Sequence, residues 1–364
     1  MIKNWNIKDI LVLLQSRKVN SREIKHIIDS YNSFEDFQTR NNDIVHKINP
    51  KTLFDKRGMN LYEIIDKQLK LCEQNNVNII TIWDENYPAL LKEIHYPPPV
   101  LYVKGKLRES NTESISIVGT RRATSYGMLA TEKFVKIFVH KGFVIVSGLA
   151  NGIDTKSHLE TIKNNGITYA VIASGINCIN PAISNKNAQS IIEAGGAIIS
   201  EYPCGTKALP AFFPQRNRII SGFSRATLII ESAEKGGSLI TAKFAFDQER
   251  DVFALPGNVF SEKSKGTNKL IAKNLAIPAL SPEYILSELG ITNEKDMAMF
   301  KKEQMQHLDN QERTLLELIN HEPKQIDDIA QQSGIGISHL IVKLLEMEFK
   351  GLIRQLPGKY YIKN

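Results

Sequence analysis

The rhythm of apolar positions changes three times along the chain. Up to about residue 80 it is helical: Ile7, Ile10, Leu11 and Leu14, then Ile24, Ile27 and Ile28 behind the capping pair Asn20-Ser21, then Leu61, Ile64, Ile65, Leu69 and Leu71. Short helices between polar turns predict a small helical module over residues 1–80, of the SAM or helix-hairpin-helix kind, with packing or dimerisation as its expected role. The pattern then turns extended. Ile79 to Ile82 reads as a strand, Tyr87-Pro88 as a turn, and Val100 to Val103 follows three prolines at 97–99, which predicts an edge strand in a connector.

From residue 113 short β-branched runs alternate with helical stretches. Ile115–Val118, Phe143–Val146, Tyr169–Ala173, Ala197–Ile199, Ala226–Ile230 and Val252–Leu255 each end in a turn of small or polar residues. Tyr126–His140 and Ile153–Lys163 are two of the helices between them. Strands alternating with helices predict an α/β fold, a Rossmann-like doubly wound and mostly parallel sheet over residues 81–289. Ligands of such sheets bind beyond the carboxyl ends of the strands, where these turns lie. Residues 290–308 are polar and read as a linker. From 309 to 364 the pattern is a winged helix: helices over Gln311–Asn320, Ile326–Ser333 and Ser338–Lys350, then a hairpin around Pro357-Gly358. Leu340, Ile341, Leu344 and Leu345 of its third helix are expected in the module's core.

Charge sharpens this outline. The chain of 364 residues has a formal net charge of +7. Residues 113–280 hold +7 by themselves, residues 1–112 hold +3, and residues 281–308 and 309–364 hold −2 and −1. A basic centre suits a polyanionic partner, although modest basicity also serves solubility. The third helix of the winged module mixes Lys343 and Lys350 with Glu346 and Glu348, so protein contact or regulation is favoured over DNA readout. The start, MIKNWNIKDI, has no apolar h-region, and no run approaches the ~20 residues needed to span a bilayer. The three cysteines follow no disulfide or metal spacing. The expectation is a cytoplasmic protein with no membrane contact, no metal and no cofactor.

The chemistry concentrates around residues 212–242. Two aromatics, Phe212 and Phe213, lead into Pro214-Gln215-Arg216-Asn217-Arg218; the strand ending at Glu231 then runs into Gly236-Gly237-Ser238 and a helix over Leu239–Phe246. Arginines seek phosphates, rings stack on bases, and a glycine turn before a helix presents free N–H groups to an anion. A structural αβ unit with surface arginines fits the same residues. The first strand-end turn, Gly119-Thr120-Arg121-Arg122, is neither a GxGxxG nor a GxxxxGK[ST] motif, and offers two phosphate-binding arginines instead. Ser147-Gly148 and Gly175 occupy two further strand ends. Asp154 and His158, four apart on one helix face, read as a cap and a packed histidine ahead of an acid–base or metal pair. Glu231 either activates water or holds an arginine. With no nucleophile, base and metal set in place, binding outranks catalysis.

These motifs carry a resemblance. IVGTRRATSYG, SGLANGIDTKSH, SEYPCGT, FFPQRNRIISGFS, SLITA and FALPGNVF…GTNKLI occur in the order and spacing of the bacterial DNA-processing protein A family (DprA, also called Smf), and cover about residues 80–280. The resemblance implies a Rossmann-type domain that binds single-stranded DNA, and double-stranded DNA more weakly. It also implies homodimerisation, protection of incoming DNA during natural transformation, loading of the RecA recombinase and no enzymatic activity. Gly119 and Arg121 fall on the family's G-S-R turn with Thr120 in place of Ser. Ser147 and Gly148 match its SGLA turn, and Pro214, Arg216, Asn217 and Arg218 its P-x-R-N-R run. Asn151 replaces a usual Arg, Gln215 a frequent Arg, and Asn180 a common aromatic; all three lower the DNA affinity expected relative to the family. The competing enzyme reading is a nucleotide-processing relative of the lysine decarboxylase-like (LOG) family. Its PGGxGTxxE run has no counterpart here, since the glycines follow Glu231 with no trailing acid. A winged-helix transcription regulator is the third alternative.

Overall fold

The computed structural model describes residues 5–16, 21–39, 60–179, 182–291, 309–320, 322–349 and 352–363. The expected linker, Asn20 of the capping pair and Asn180 lie outside these residues, apart from the linker's first two positions. The chain divides into two compact units, up to Ile285 and from Leu286.

The first unit is built on a nine-stranded sheet. Its strands are β1 (Asn78–Thr81), β2 (Val100–Gly105), β3 (Ser114–Val118), β4 (Val144–Ser147), β5 (Thr168–Val171), β6 (Ala197–Ser200), β7 (Ala226–Ile229), β8 (Asp251–Ala254) and β9 (Ile277–Pro278). They lie in the order β1-β2-β6-β5-β4-β3-β7-β8-β9. Strands β3 to β9 pair in parallel, while β1 with β2 and β2 with β6 pair antiparallel. Strand β2 is therefore interior, and the expectation of an edge strand is corrected. The prolines at 97–99 precede the ladder and remove no hydrogen bond from it, so β1 takes the edge. The expected connector is part of the sheet.

Both faces of the sheet are covered, which is why its strands read as continuous apolar runs. Val100, Tyr102, Ala170, Ile172 and Ile198 point to one core, and their neighbours Leu101, Val103, Tyr169, Val171 and Ile199 to the other. The first core is shared with the N-terminal helices α1 (Ile7–Ser16), α2 (Ser21–Ser30), α3 (Phe34–Thr39) and α4 (Leu61–Gln74), through Ile10, Leu13, Ile24, Ile27, Phe37 and Ile65. The second core takes Leu91 of α5 (Ala89–Glu93) and the helix after β6. Helices α6 (Ser125–His140), α7 (Ile153–Lys163), α8 (Ala182–Glu193), α9 (Phe212–Gly222), α10 (Ser238–Asp247), α11 (Lys265–Ala272) and α12 (Pro282–Glu288) complete the connections. Helix α9 begins on the aromatic pair, and Pro214 is tolerated because a first-turn residue has no helical acceptor for its missing N–H. From β3 the chain winds outward to β6; α9 then carries it back to the other side of β3, where β7, β8 and β9 follow. The winding therefore reverses between β3 and β7.

The second unit holds a winged helix. Helix α13 (Asn310–Leu318) opens on a capping box of Asp309 and Glu312, α14 (Ile326–Ser333) ends at Gly334 with φ +68°, and α15 (Ile337–Phe349) precedes a hairpin. Strands β10 (Lys324–Gln325), β11 (Ile353–Leu356) and β12 (Tyr360–Lys363) order as β10-β12-β11. Leu315, Ile329, Leu340, Leu344, Met347 and Ile353 fill its core. Ile341 and Leu345, expected in that core, are instead 40% and 50% exposed. Helical spacing admits a wide apolar stripe, but only the edge carrying Leu340, Leu344 and Met347 meets α13, α14 and the hairpin.

Candidate functional site

The reversal of winding between β3 and β7 opens a cleft at the carboxyl ends of the strands, the place where doubly wound sheets take ligands. A cavity of about 400 Å³ lies there. Gly119 to Arg122 after β3, Ser232, Ala233 and Gly236 to Ser238 after β7, Phe213, Pro214, Arg216 and Asn217 of α9, and Lys263 before α11 line it. A second cavity, of about 170 Å³, shares Arg121, Ala150, Phe213 and Arg216 with the first and adds Gly148, Asn151 and Ser174.

The arginines divide into two classes. Arg216 is 5% exposed. Its Nη1 donates to the carbonyls of Gly148, at 2.7 Å, and Val171, and its Nε donates to Asn217 Oδ1 at 3.2 Å. Burial pushes its pKa down to about 10 against the opposing pull of Asp154. Burial likewise lifts Asp154 to about 6, with Arg216 and the N–H groups of Ala150, Gly119 and Gly148 acting the other way. Gly148 sits between the two: a Cβ there would lie 2.8 Å from Asp154 Oδ2 and 2.9 Å from Arg216 Cζ, so only glycine fits. Arg218 is taken up by Glu201, with Nη1 at 2.9 Å from Oε1 and Nη2 at 2.7 Å from Oε2, and also donates to the Tyr96 and Gln215 carbonyls. It lines neither cavity.

Arg121, Arg122 and Lys263 form the other class. Among the described residues none of their charged groups has a carboxylate or carbonyl partner. The Arg121 guanidinium lies 5.8 Å from the centre of the Phe213 ring, within cation–π range. That ring is 36% exposed. Phe212 instead stacks on Tyr202, with centroids 4.1 Å apart and planes at 17°, which leaves Phe213 as the ring facing the cavity.

The remaining expected residues support this surface. Thr120 N–H donates to the Glu231 carbonyl at 2.8 Å, tying the β3 and β7 turns together. The Glu231 carboxylate accepts from Thr124 N–H at 2.9 Å and Thr124 Oγ1–H at 2.5 Å. Of the two roles weighed for it, water activation and arginine binding, the structure shows neither; it anchors the start of α6. Ser238 donates to Ser232 Oγ at 2.9 Å. The N–H groups of Leu239 and Ile240 turn back onto Gly236 and Gly237, which narrows any anion seat at α10 to the first N–H groups of the turn. Ser147 is buried and donates to Ile117 O, and Gly175 N–H donates to Thr206 O. These two shape the strand ends and line neither cavity. His158 is buried with Nδ1 at 2.7 Å from Thr168 Oγ1, and burial pushes its pKa down to about 3. Asn151 is exposed at the smaller cavity. Gln215 is exposed and accepts from Tyr202 at 3.3 Å. Lys263 was not singled out from the sequence; its only signal was its place inside the FALPGNVF…GTNKLI stretch. No group of His, Cys, Asp and Glu among the described residues is arranged to hold a metal, and no described helix is long and apolar enough to cross a membrane.

Comparison with known proteins places this architecture. A family model for DNA recombination-mediator protein A matches residues 78–290, and one for the DprA winged helix domain matches residues 301–359. Protein Smf of Synechocystis sp. is 35% identical over 350 residues, covering 87% of this chain and 86% of its own length. Protein Smf of Escherichia coli is 35% identical, covering 81% of this chain and 80% of its own. Among solved structures, DNA processing protein A from Streptococcus pneumoniae superposes with a TM-score of 0.64 at 31% identity, over 77% of this chain and 97% of that one. The Helicobacter pylori protein, whose structure describes its single-stranded DNA binding mode, matches with a TM-score of 0.53 at 28% identity, over 59% of this chain and 97% of that one. Fold, matched length and identity agree: the chain belongs to the DNA recombination-mediator protein A family.

Proposed function

We propose that the cleft between β3 and β7 binds single-stranded DNA, and that the protein covers incoming single strands and delivers them to the RecA recombinase during transformation and recombination. One observation carries this reading. Three cations without a carboxylate or carbonyl partner among the described residues, Arg121, Arg122 and Lys263, line one cavity with a partly exposed ring, Phe213, while the acidic group lining it, Asp154, is buried. Unpaired cations gain affinity by displacing the counterions of a phosphate backbone, and a ring offers every base a stacking face. The solved single-strand-binding relative from Helicobacter pylori supports the same reading.

In it, Gly119 and Thr120 hold the arginine turn, and Gly237 with Ser238 borders the phosphate track. Pro214 and Asn217 set the rim. Arg216 and Arg218 act as internal braces of α9, which revises the expectation that both meet phosphate. Ser147, Gly148 and Gly175 position strand ends. The protein acts as a homodimer through the first unit and binds duplex DNA more weakly, because stacked bases cannot reach Phe213. Catalysis has no part in this reading, since the Glu231 carboxylate is occupied by Thr124. Titrating labelled single- and double-stranded oligonucleotides at two salt concentrations tests it. Tighter binding of the single strand with a steep salt dependence is expected; equal affinity for duplex, or no salt dependence, refutes it. Release of base or phosphate from nucleoside monophosphates, abolished by Glu231→Ala, would favour the nucleotide-processing alternative.

A further inference from the structure

The loop between β8 and α11 presents Val259 and Phe260 at 70% and 90% exposure. This is not a slack loop. Asn268 clamps Gly257 from both sides, with its Nδ2 donating to Gly257 O at 2.9 Å and its Oδ1 accepting Gly257 N–H at 3.1 Å. Tyr126 donates to Pro256 O at 2.7 Å. Asn258 Oδ1 accepts Phe260 N–H at 2.8 Å, and Asn258 O accepts Ser261 N–H at 2.9 Å, so the ring stands on a closed turn. Lys263 O accepts Ser232 N–H at 2.7 Å, which ties the loop's far end to the cleft that the Lys263 side chain lines.

An exposed aromatic ring carried on a hydrogen-bonded turn calls for a partner, and its surroundings indicate which. Nearby acids are already paired: Glu262 with Lys265, and Glu234 with Lys269 at 2.7 Å. Lys263 has no such partner among the described residues. Three residues span at most about 11 Å, so Phe260 and the cavity lie within a footprint of roughly 4–16 nucleotides. We propose that Phe260 is a second stacking platform for the same single strand, which leaves the cleft past Lys263 and lays a further base on this ring. The proposal rests on the single-strand reading of the cleft and extends its path past Lys263. A second copy of the chain is the competing occupant; continuity with the unpaired lysine at the cleft favours nucleic acid.

The test uses the full-length protein with a twelve-residue oligothymidylate. Phe260→Ala is expected to weaken binding about tenfold, equal to ~1.4 kcal/mol, with the salt slope unchanged because no charge is lost. Phe260→Trp is expected to restore affinity, and its indole fluorescence to be quenched at one strand per site beyond the change seen for the wild type's Trp5 and Trp83. Arg121→Ala run in parallel separates the two readings. If Arg121→Ala weakens binding and Phe260→Ala does not, the platform is disproved while the cleft stands. If Arg121→Ala has no effect, the cleft reading itself falls. If Phe260→Ala turns a dimer into a monomer in sedimentation with affinity per protomer unchanged, the ring belongs to a contact between copies and the proposal is overturned.

Discussion

Arginines that look alike in the sequence differ in their partners. Arg121 faces a ring and a cavity, whereas Arg218 makes a fork with Glu201 and two further carbonyl contacts. Arg121→Ala should therefore weaken single-strand binding across sequences and lower the salt slope by about one, with thermal stability unchanged. Arg218→Ala should do the reverse. It leaves Glu201 without its partner in a largely buried setting and should cost about 1–3 kcal/mol of stability, read from denaturant midpoints, with the salt slope preserved. Two buried groups predict the pH response. Burial holds the folded His158 pKa near 3, below its ordinary value of 6.5, so its contribution is complete above pH 6.5 and is lost as pH falls. The slope is at most about 1.4 kcal/mol per pH unit. Asp154, lifted from 3.8 to about 6, acts oppositely: its contribution is complete below pH 3.8 and is lost as pH rises through 6. His158→Gln, which can keep the bond to Thr168, should flatten the fall in melting temperature between pH 6.5 and 4.5. An unchanged pH profile would show that the histidine is not the titrating group.

At the scale of elements, helix α15 separates burial from apolarity. Leu340 and Leu344 are fully buried, while Ile337, Ile341, Val342 and Leu345 lie outside. Leu344→Ala should cost about 2–5 kcal/mol, and Leu345→Gln or Ile341→Ser less than about 0.5 kcal/mol. Lys343 is also spoken for, pairing with Asp309 at 2.8 Å and Glu346 at 3.0 Å. A helix whose lysine is paired and whose outer face is apolar is poorly suited to neutralising phosphates. Similar reasoning explains α6: Glu231 at the end of β7 caps Thr124, and Gly127 lets that carboxylate approach, so the element is fixed by a residue more than 100 positions away.

For the whole molecule, the division at Ile285 makes the winged helix separable. A chain ending at Ile291 should fold and dimerise, and should retain single-strand affinity to within about tenfold, or ~1.4 kcal/mol. A larger loss, in a truncated protein shown by circular dichroism and sedimentation to be folded and dimeric, would make the winged helix a principal DNA contact. The first unit does not divide in the same way. Its N-terminal helices share one core with Val100, Ala170, Ile172 and Ile198 of the sheet, so residues 1–80 should not fold when expressed alone.

The sequence by itself determined the alternation of strands and helices, the winged helix and the stretch where the candidate binding residues cluster, because each is local. Period-two and period-3.6 burial, glycine turns at strand ends and the run of 212–218 need no knowledge of distant residues. It also placed Arg121 and Phe213 among the binding candidates. What it could not supply was pairing. That β2 lies inside the sheet, that Phe212 stacks on Tyr202 while Phe213 does not, and that Arg216 and Arg218 serve as braces all depend on which residues meet. Glu201 and the carbonyls of Val171 and Gly148 come from the ends of three different strands, β6, β5 and β4, and only the side-by-side order of those strands in the sheet brings them to α9. A charge is available to a ligand when no protein group satisfies it, and that condition is set by the tertiary structure.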